Sequence, residues 1–328
     1  MNNKSWVRIL LTGAAAIVTG WGCHSSTDAG KGDAASGVID SGGASGLGGT
    51  VGRGGASGRG GAAGGGEASS LGGALGSGGA SSSGSCAPAT SDPTLAWVEK
   101  ALKVGGDSRL YYQWLPKNYD ANRRYQVLYE FHGCSDEAKP QDNHPPTQTL
   151  SGTEAIHIRM RAKEECWDLS KSGVEFTYFD AVVAAVESTL CADPSRRFAT
   201  GYSSGAFMAH YLACWRGAML RGVATIGGGY GPVPPTDCTG DVAALLIQDA
   251  DDETVEPWKT ISARDDHIER DGCNPNAPTT PFDPPPCQEY SGCRAGYPVV
   301  WCETSGVGHS SQPSLSAPAF WNFLSTLP

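Results

Sequence analysis

"RRFATGYSSGAFMAHYLACW", residues 196–215, decides how this chain is read. An apolar run through Phe198 leads into Gly201-Tyr202-Ser203-Ser204-Gly205, and a second apolar run follows. The pattern is G-x-S-x-G set between a predicted strand and a predicted helix. A serine in that setting sits on a very tight turn. The residues two before and two after it, Gly201 and Gly205, must be small, or their side chains would strike neighbouring backbone. The turn lifts the Ser203 hydroxyl off the sheet and places it at a helix N-terminus, whose dipole favours developing negative charge. Five residues alone are a weak signal in a Gly-rich chain. Their position between strand and helix gives them weight and marks Ser203 as a candidate nucleophile. The bland alternative is a tight turn holding an ordinary serine.

Working outward, strands and helices alternate. Residues 110–116 and 125–133 read as strands, being short, aromatic and β-branched, with a polar loop between them. In 178–190, Phe179, Val182, Val183, Val186 and Leu190 recur at helical spacing. Residues 220–229, 242–248 and 297–303 read as buried strands, and 314–327 as a closing helix. This order predicts a mostly parallel sheet with helices on both faces. The segment 272–296, rich in Pro and Cys, reads as a stapled irregular loop.

A serine nucleophile needs a base, and with this motif the chain order is Ser, acid, His. Of the histidines after Ser203, only His267 and His309 also lie beyond the acidic run at 249–253. His309 lies in "SGVGHSS", a small-residue loop after the last predicted strand, and is preferred. His267 lies in "ARDDHIERD", which looks like a solvated helix face. The acid is sought in "LLIQDADDETV", 245–255, where Asp249, Asp251, Asp252 and Glu253 crowd five positions. A calcium loop is not favoured, because the required Gly and terminal Glu are absent at the right spacing. For the oxyanion, the backbone N–H groups of Ser204 and of Cys134, in "YEFHGCSD", are the expected donors, with Ser135 as the alternative to Cys134.

At these residues the chain resembles the exported α/β-hydrolase esterases that group feruloyl esterases, acetylxylan esterases and short-domain polyhydroxybutyrate depolymerases. "YEFHGC", "CADPSRRFATGYSSGAFMAHYLAC", "DETV" and "GVGH" carry the resemblance, which spans roughly 125–325. It implies an α/β-hydrolase fold and two-step acyl transfer through Ser203, His309 and Asp252, without metal or organic cofactor. The family pattern His-Gly-x-x-Asp-x-x-Val favours Asp252 as the acid, with Asp251 second and Asp249 third. Here Gln248-Asp249 replaces its His-Gly. The remaining acids are expected to be solvated turn residues, with Asp249 standing where the family has glycine. The implied substrates are phenolic or acetyl esters on plant polysaccharide, with short polyester as the alternative. Trp167, Tyr178, Tyr202, Tyr230 and Trp301 either line an aromatic acyl pocket or belong to the core. A catalytically inactive hydrolase fold used as a surface binding module is the competing reading from another class.

Composition sets the frame. Residues 1–23 carry Lys4 and Arg8, an apolar stretch and "GWGC", which reads as an export signal, with Cys23 a candidate for lipidation at a bacterial membrane surface. Residues 24–85 hold 23 of the 45 glycines and no aromatic, Pro or Cys, the composition of a disordered linker and tether. Residues 86–328 form the catalytic domain. Its ten cysteines, an even number in an exported chain, predict five disulfides of undetermined connectivity. No CxxC pair supports a zinc site. The domain carries 19 basic and 30 acidic residues, a net charge of −11, which argues against nucleic acid.

Overall fold

The computed structural model describes Cys86, residues 90–136, Ala138, Lys139 and residues 144–328. The expected export signal, Cys23 and the linker lie outside the described residues. Within them, the chain builds β1 (Trp97–Val104), β2 (Asp107–Trp114), β3 (Tyr125–Phe131), β4 (Ala155–Met160), α1 (Val174–Thr189), β5 (Ala192–Tyr202), α2 (Ser204–Trp215), β6 (Gly222–Ile226) and β7 (Ala243–Asp249). There follow α3 (Pro257–Arg270), the two-residue strands β8 (Thr280–Pro281) and β9 (Gln288–Glu289), β10 (Val299–Thr304) and α4 (Pro313–Thr326).

One sheet runs in the order β1-β2-β4-β3-β5-β6-β7-β10-β9-β8. The six central strands, β4 through β10, pair in parallel, while the hairpins at both edges are antiparallel. This is the α/β-hydrolase architecture that the sequence predicts. The cause is visible strand by strand. Every residue of β3, β6 and β7 is buried, because helices cover both faces and leave no solvent side for polar residues. Alternation sorts the side chains. Ala244 and Leu246 of β7 pack with Val182, Val186, Met208 and Leu212 of α1 and α2. Leu245 and Ile247 pack on the other face with Phe320, Phe323 and Leu324 of α4.

All ten cysteines pair: Cys86–Cys191, Cys134–Cys166, Cys214–Cys238, Cys273–Cys293 and Cys287–Cys302. The last two staple the Pro-rich segment, one of them to β10. Among the described residues no helix is long and apolar enough to cross a membrane.

Two expectations need correction. His267 is on a helix, α3, but on its buried face. Its Nε2 lies 3.3 Å from His210 Nδ1, and burial pushes its imidazole down to about 3. Asp249 is not a solvated turn residue. It ends β7 fully buried, and it is not among the residues with positive φ, so it does not imitate a left-handed glycine. Its carboxylate has partners of its own, described below.

Candidate active site

Ser203 joins β5 to α2 with φ 54° and ψ −123°, a region that a side chain occupies only when its surroundings force it. Those surroundings are backbone. A Cβ on Gly205 would lie 1.9 Å from the Phe131 carbonyl oxygen, and one on Gly201 would lie 2.2 Å from the Gly205 carbonyl oxygen. Only glycine lets β5, the turn and β3 approach so closely. The Ser203 N–H donates to the Ile226 carbonyl at 3.0 Å, which ties the strained residue to the neighbouring strand.

His309 stands in the loop between β10 and α4. Its Nε2 is 2.9 Å from Ser203 Oγ and its Nδ1 is 2.7 Å from Asp252 Oδ2. An ionised carboxylate only accepts, so Nδ1 carries the proton and Nε2 offers its lone pair to the Ser203 hydroxyl. Asp252 is held in turn. Its Oδ1 accepts from the N–H groups of Thr254 and Val255, each at 2.9 Å, and its side chain is 2% exposed. Asp251 faces elsewhere and accepts from the Gly306 N–H at 2.7 Å. The sequence places these three residues far apart, and the topology brings them to the same ends of β5, β7 and β10, where open α/β sheets bind ligands.

The Tyr202 ring stacks on the His309 imidazole, with centroids 5.1 Å apart and planes at 28°. Burial, with the Asp252 and Asp136 carboxylates, pushes its phenol up to about 12, so it stays neutral. After β3, Gly133 packs against the serine turn, and a Cβ there would meet Ser203 Cβ at 3.4 Å. Cys134 follows it. Ser204 is the first residue of α2, and its N–H is one of the four that a helix leaves unbonded. The Ser135 N–H donates to the Glu165 carbonyl at 2.8 Å, so the alternative donor is already engaged. The arrangement can move the Ser203 proton to His309 while N–H groups face developing negative charge beside it.

The comparisons agree in kind. The chain is 28% identical over 234 residues to a protein described as probable feruloyl esterase C from Aspergillus clavatus, covering 66% of this chain and 83% of the relative. It is 28% identical over 229 residues to feruloyl esterase D from Neurospora crassa, covering 64% and 77%. Among solved structures, an acetyl xylan esterase from Aspergillus awamori superposes with a TM-score of 0.54 at 17% identity, covering 69% of this chain and 99% of that one. The chain is a carboxylic ester hydrolase of the α/β-hydrolase fold, related to the feruloyl esterases. No family model matches it.

Of the five aromatics singled out in this esterase, all are buried, but they divide by place. Tyr178, Tyr230 and Trp301 belong to the core. Tyr202 and Trp167 also touch the site. Among the described residues no group of His, Cys, Asp and Glu is arranged to hold a metal ion. Sequence reading missed the glycines after β6. Gly227, at φ +64°, lies under the imidazole, and a Cβ there would come 3.4 Å from His309 Cε1. A Cβ on Gly228 would lie 2.6 Å from the Ser203 carbonyl oxygen. Three consecutive glycines at the end of a predicted strand were the available signal.

Proposed function

We propose that the protein is a serine esterase that hydrolyses feruloyl esters of plant polysaccharide, or acetyl esters of the same material, through an acyl-enzyme. His309 takes the Ser203 proton and Ser203 attacks the ester carbonyl. The Cys134 and Ser204 N–H groups hold the oxyanion, and Asp252 orients His309 and stabilises the imidazolium. His309 then protonates the departing alcohol, and water repeats the sequence to free the acid. The observation that carries this reading is the unbroken Asp252–His309–Ser203 chain, at 2.7 and 2.9 Å, ending on a serine held in a strained turn. The feruloyl preference rests on the names of the relatives.

The test compares wild type with Ser203→Ala on methyl ferulate, p-nitrophenyl acetate and a polyester film. Loss on the order of a million-fold is expected for the variant, by analogy with another serine hydrolase. Equal rates would leave only the binding-module reading. A preference for the polyester film would replace the feruloyl assignment.

Residues 86–328 are proposed as the catalytic domain, preceded by an export signal and a tether attached through lipid on Cys23. Five disulfides fit an oxidising compartment. Failure of radiolabelled palmitate to label the chain would remove the anchor.

A further inference from the structure

Trp167 is 4% exposed and would pass for a core residue, since its ring meets Phe131 edge-on, with centroids 5.0 Å apart. Its two N–H groups say more. The indole Nε1–H donates to the His132 carbonyl at 2.9 Å. The backbone N–H donates to Ser204 Oγ at 3.1 Å. One residue thereby holds both walls of the space above Ser203: the peptide that precedes Gly133-Cys134, and the side chain of Ser204. The preceding residue, Cys166, is bonded to Cys134 itself. Three links, two polar and one covalent, converge on the two segments that carry the proposed oxyanion donors.

We propose that Trp167 is a positioning residue that sets the separation and aim of the Cys134 and Ser204 N–H groups. The role rests on the serine-esterase reading above. A buried indole needs one acceptor for its N–H, and any nearby carbonyl would serve. Packing alone does not call for a backbone N–H aimed at the first side chain of α2. Donors that stabilise an oxyanion act only when fixed before the charge develops, so a clip between them acts on the transition state and not on substrate binding.

The test uses the full chain with p-nitrophenyl acetate as substrate and phenylboronic acid as a tetrahedral mimic bound to Ser203. Trp167→Phe keeps an aromatic ring, though a smaller one, and removes the indole N–H. The expected result is a kcat lower by about tenfold to a hundredfold, the scale on which small misplacement acts, with KM and the pH profile unchanged. The boronate dissociation constant should rise by a similar factor. A kcat within about twofold of wild type, or a raised KM with intact kcat, would overturn the role. Ser204→Ala tests the other arm without touching the core, and is useful if Trp167→Phe does not fold. A several-fold fall in kcat at constant KM supports the clip, whereas an unchanged kcat counts against it. Ser203→Ala separates the two claims. If it stays fully active, the esterase mechanism fails. If it is inactive while both other variants match wild type, only the positioning role fails.

Discussion

Asp249 Oδ1 accepts the Gly308 N–H at 3.0 Å, and its Oδ2 accepts the Val307 N–H at 3.2 Å, so the acid three residues before Asp252 holds the loop that presents His309. The Thr304 hydroxyl adds a third donor at 2.8 Å. The two acids therefore divide the work: one meets the imidazole, the other fixes the backbone on which the imidazole hangs.

Asp252→Asn should lower kcat by a factor on the order of 10⁴, since the amide favours the wrong imidazole tautomer. Asp249→Asn should cost less, about tenfold to a hundredfold, because Oδ1 survives as an acceptor while Nδ2 replaces Oδ2. Parallel kinetics on p-nitrophenyl acetate check the order. A larger loss for Asp251→Asn than for Asp252→Asn would move the acid by one residue.

Acid should loosen the His309 loop through Asp249. Burial opposes its ionisation, but the Thr304 hydroxyl and the Gly308, Asp251 and Val307 N–H groups outweigh that and hold its carboxyl below the usual range. A depressed folded value means that the unfolded chain binds the proton first. This stabilisation is full above the ordinary carboxylate range and fades as pH falls through the folded value. Urea unfolding from neutral to acid pH should show a shallower acid loss for Asp249→Asn than for wild type.

Glu130, at the heart of β3, is fully buried between Arg159 and His157, with oxygens 2.8 Å from Arg159 Nε and from His157 Nδ1. Burial raises its carboxyl, but Arg159 and then His157 prevail and hold it at about 2. Glu130→Gln removes the buried carboxylate charge that Arg159 and His157 both face. Breaking a buried pair from one side costs about 3–5 kcal/mol. Thermal unfolding should drop by roughly 6–20 °C in a domain of this size, with kcat of the folded fraction little changed.

Gly205→Ala should abolish soluble expression or activity outright. Its Cβ would meet a fixed carbonyl at 1.9 Å, and no rotamer can move it away. Gly306→Ala, at φ +75° with open space around the added methyl, is the control. It should cost only about 1–2 kcal/mol in backbone strain and leave a folded esterase. A soluble, active Gly205→Ala would refute the close approach of β3 and the turn.

What the sequence made legible was what short patterns encode. The parallel strands announced themselves as buried apolar runs, and the serine turn by its glycines. β4 escaped notice because "AIHIRM" places His157 and Arg159 inside a buried strand, and their partner Glu130 is distant in sequence. β1 escaped because its alternating charged face resembles loop. α3 was read only as a solvated face, since its charged residues outnumber the apolar ones that it buries. The role of Asp249 was hidden for the same reason as that of Trp167. Each acts through donors or acceptors far along the chain, and no local spacing reveals a contact made by topology.

Cys86 is bonded to Cys191, and its N–H donates to the Ala121 carbonyl at 3.3 Å. Both partners lie just before parallel strands begin, whereas Ser203 lies where β5 ends. Between the pairs Tyr125–Ala192 and Phe131–Gly201, the neighbouring β3 advances six residues, about 20 Å at the usual rise. Cys86 is thus fixed by a covalent bond at the end of the sheet where β5 begins. Ser203 and His309 stand at the opposite end, where β5 and β10 finish.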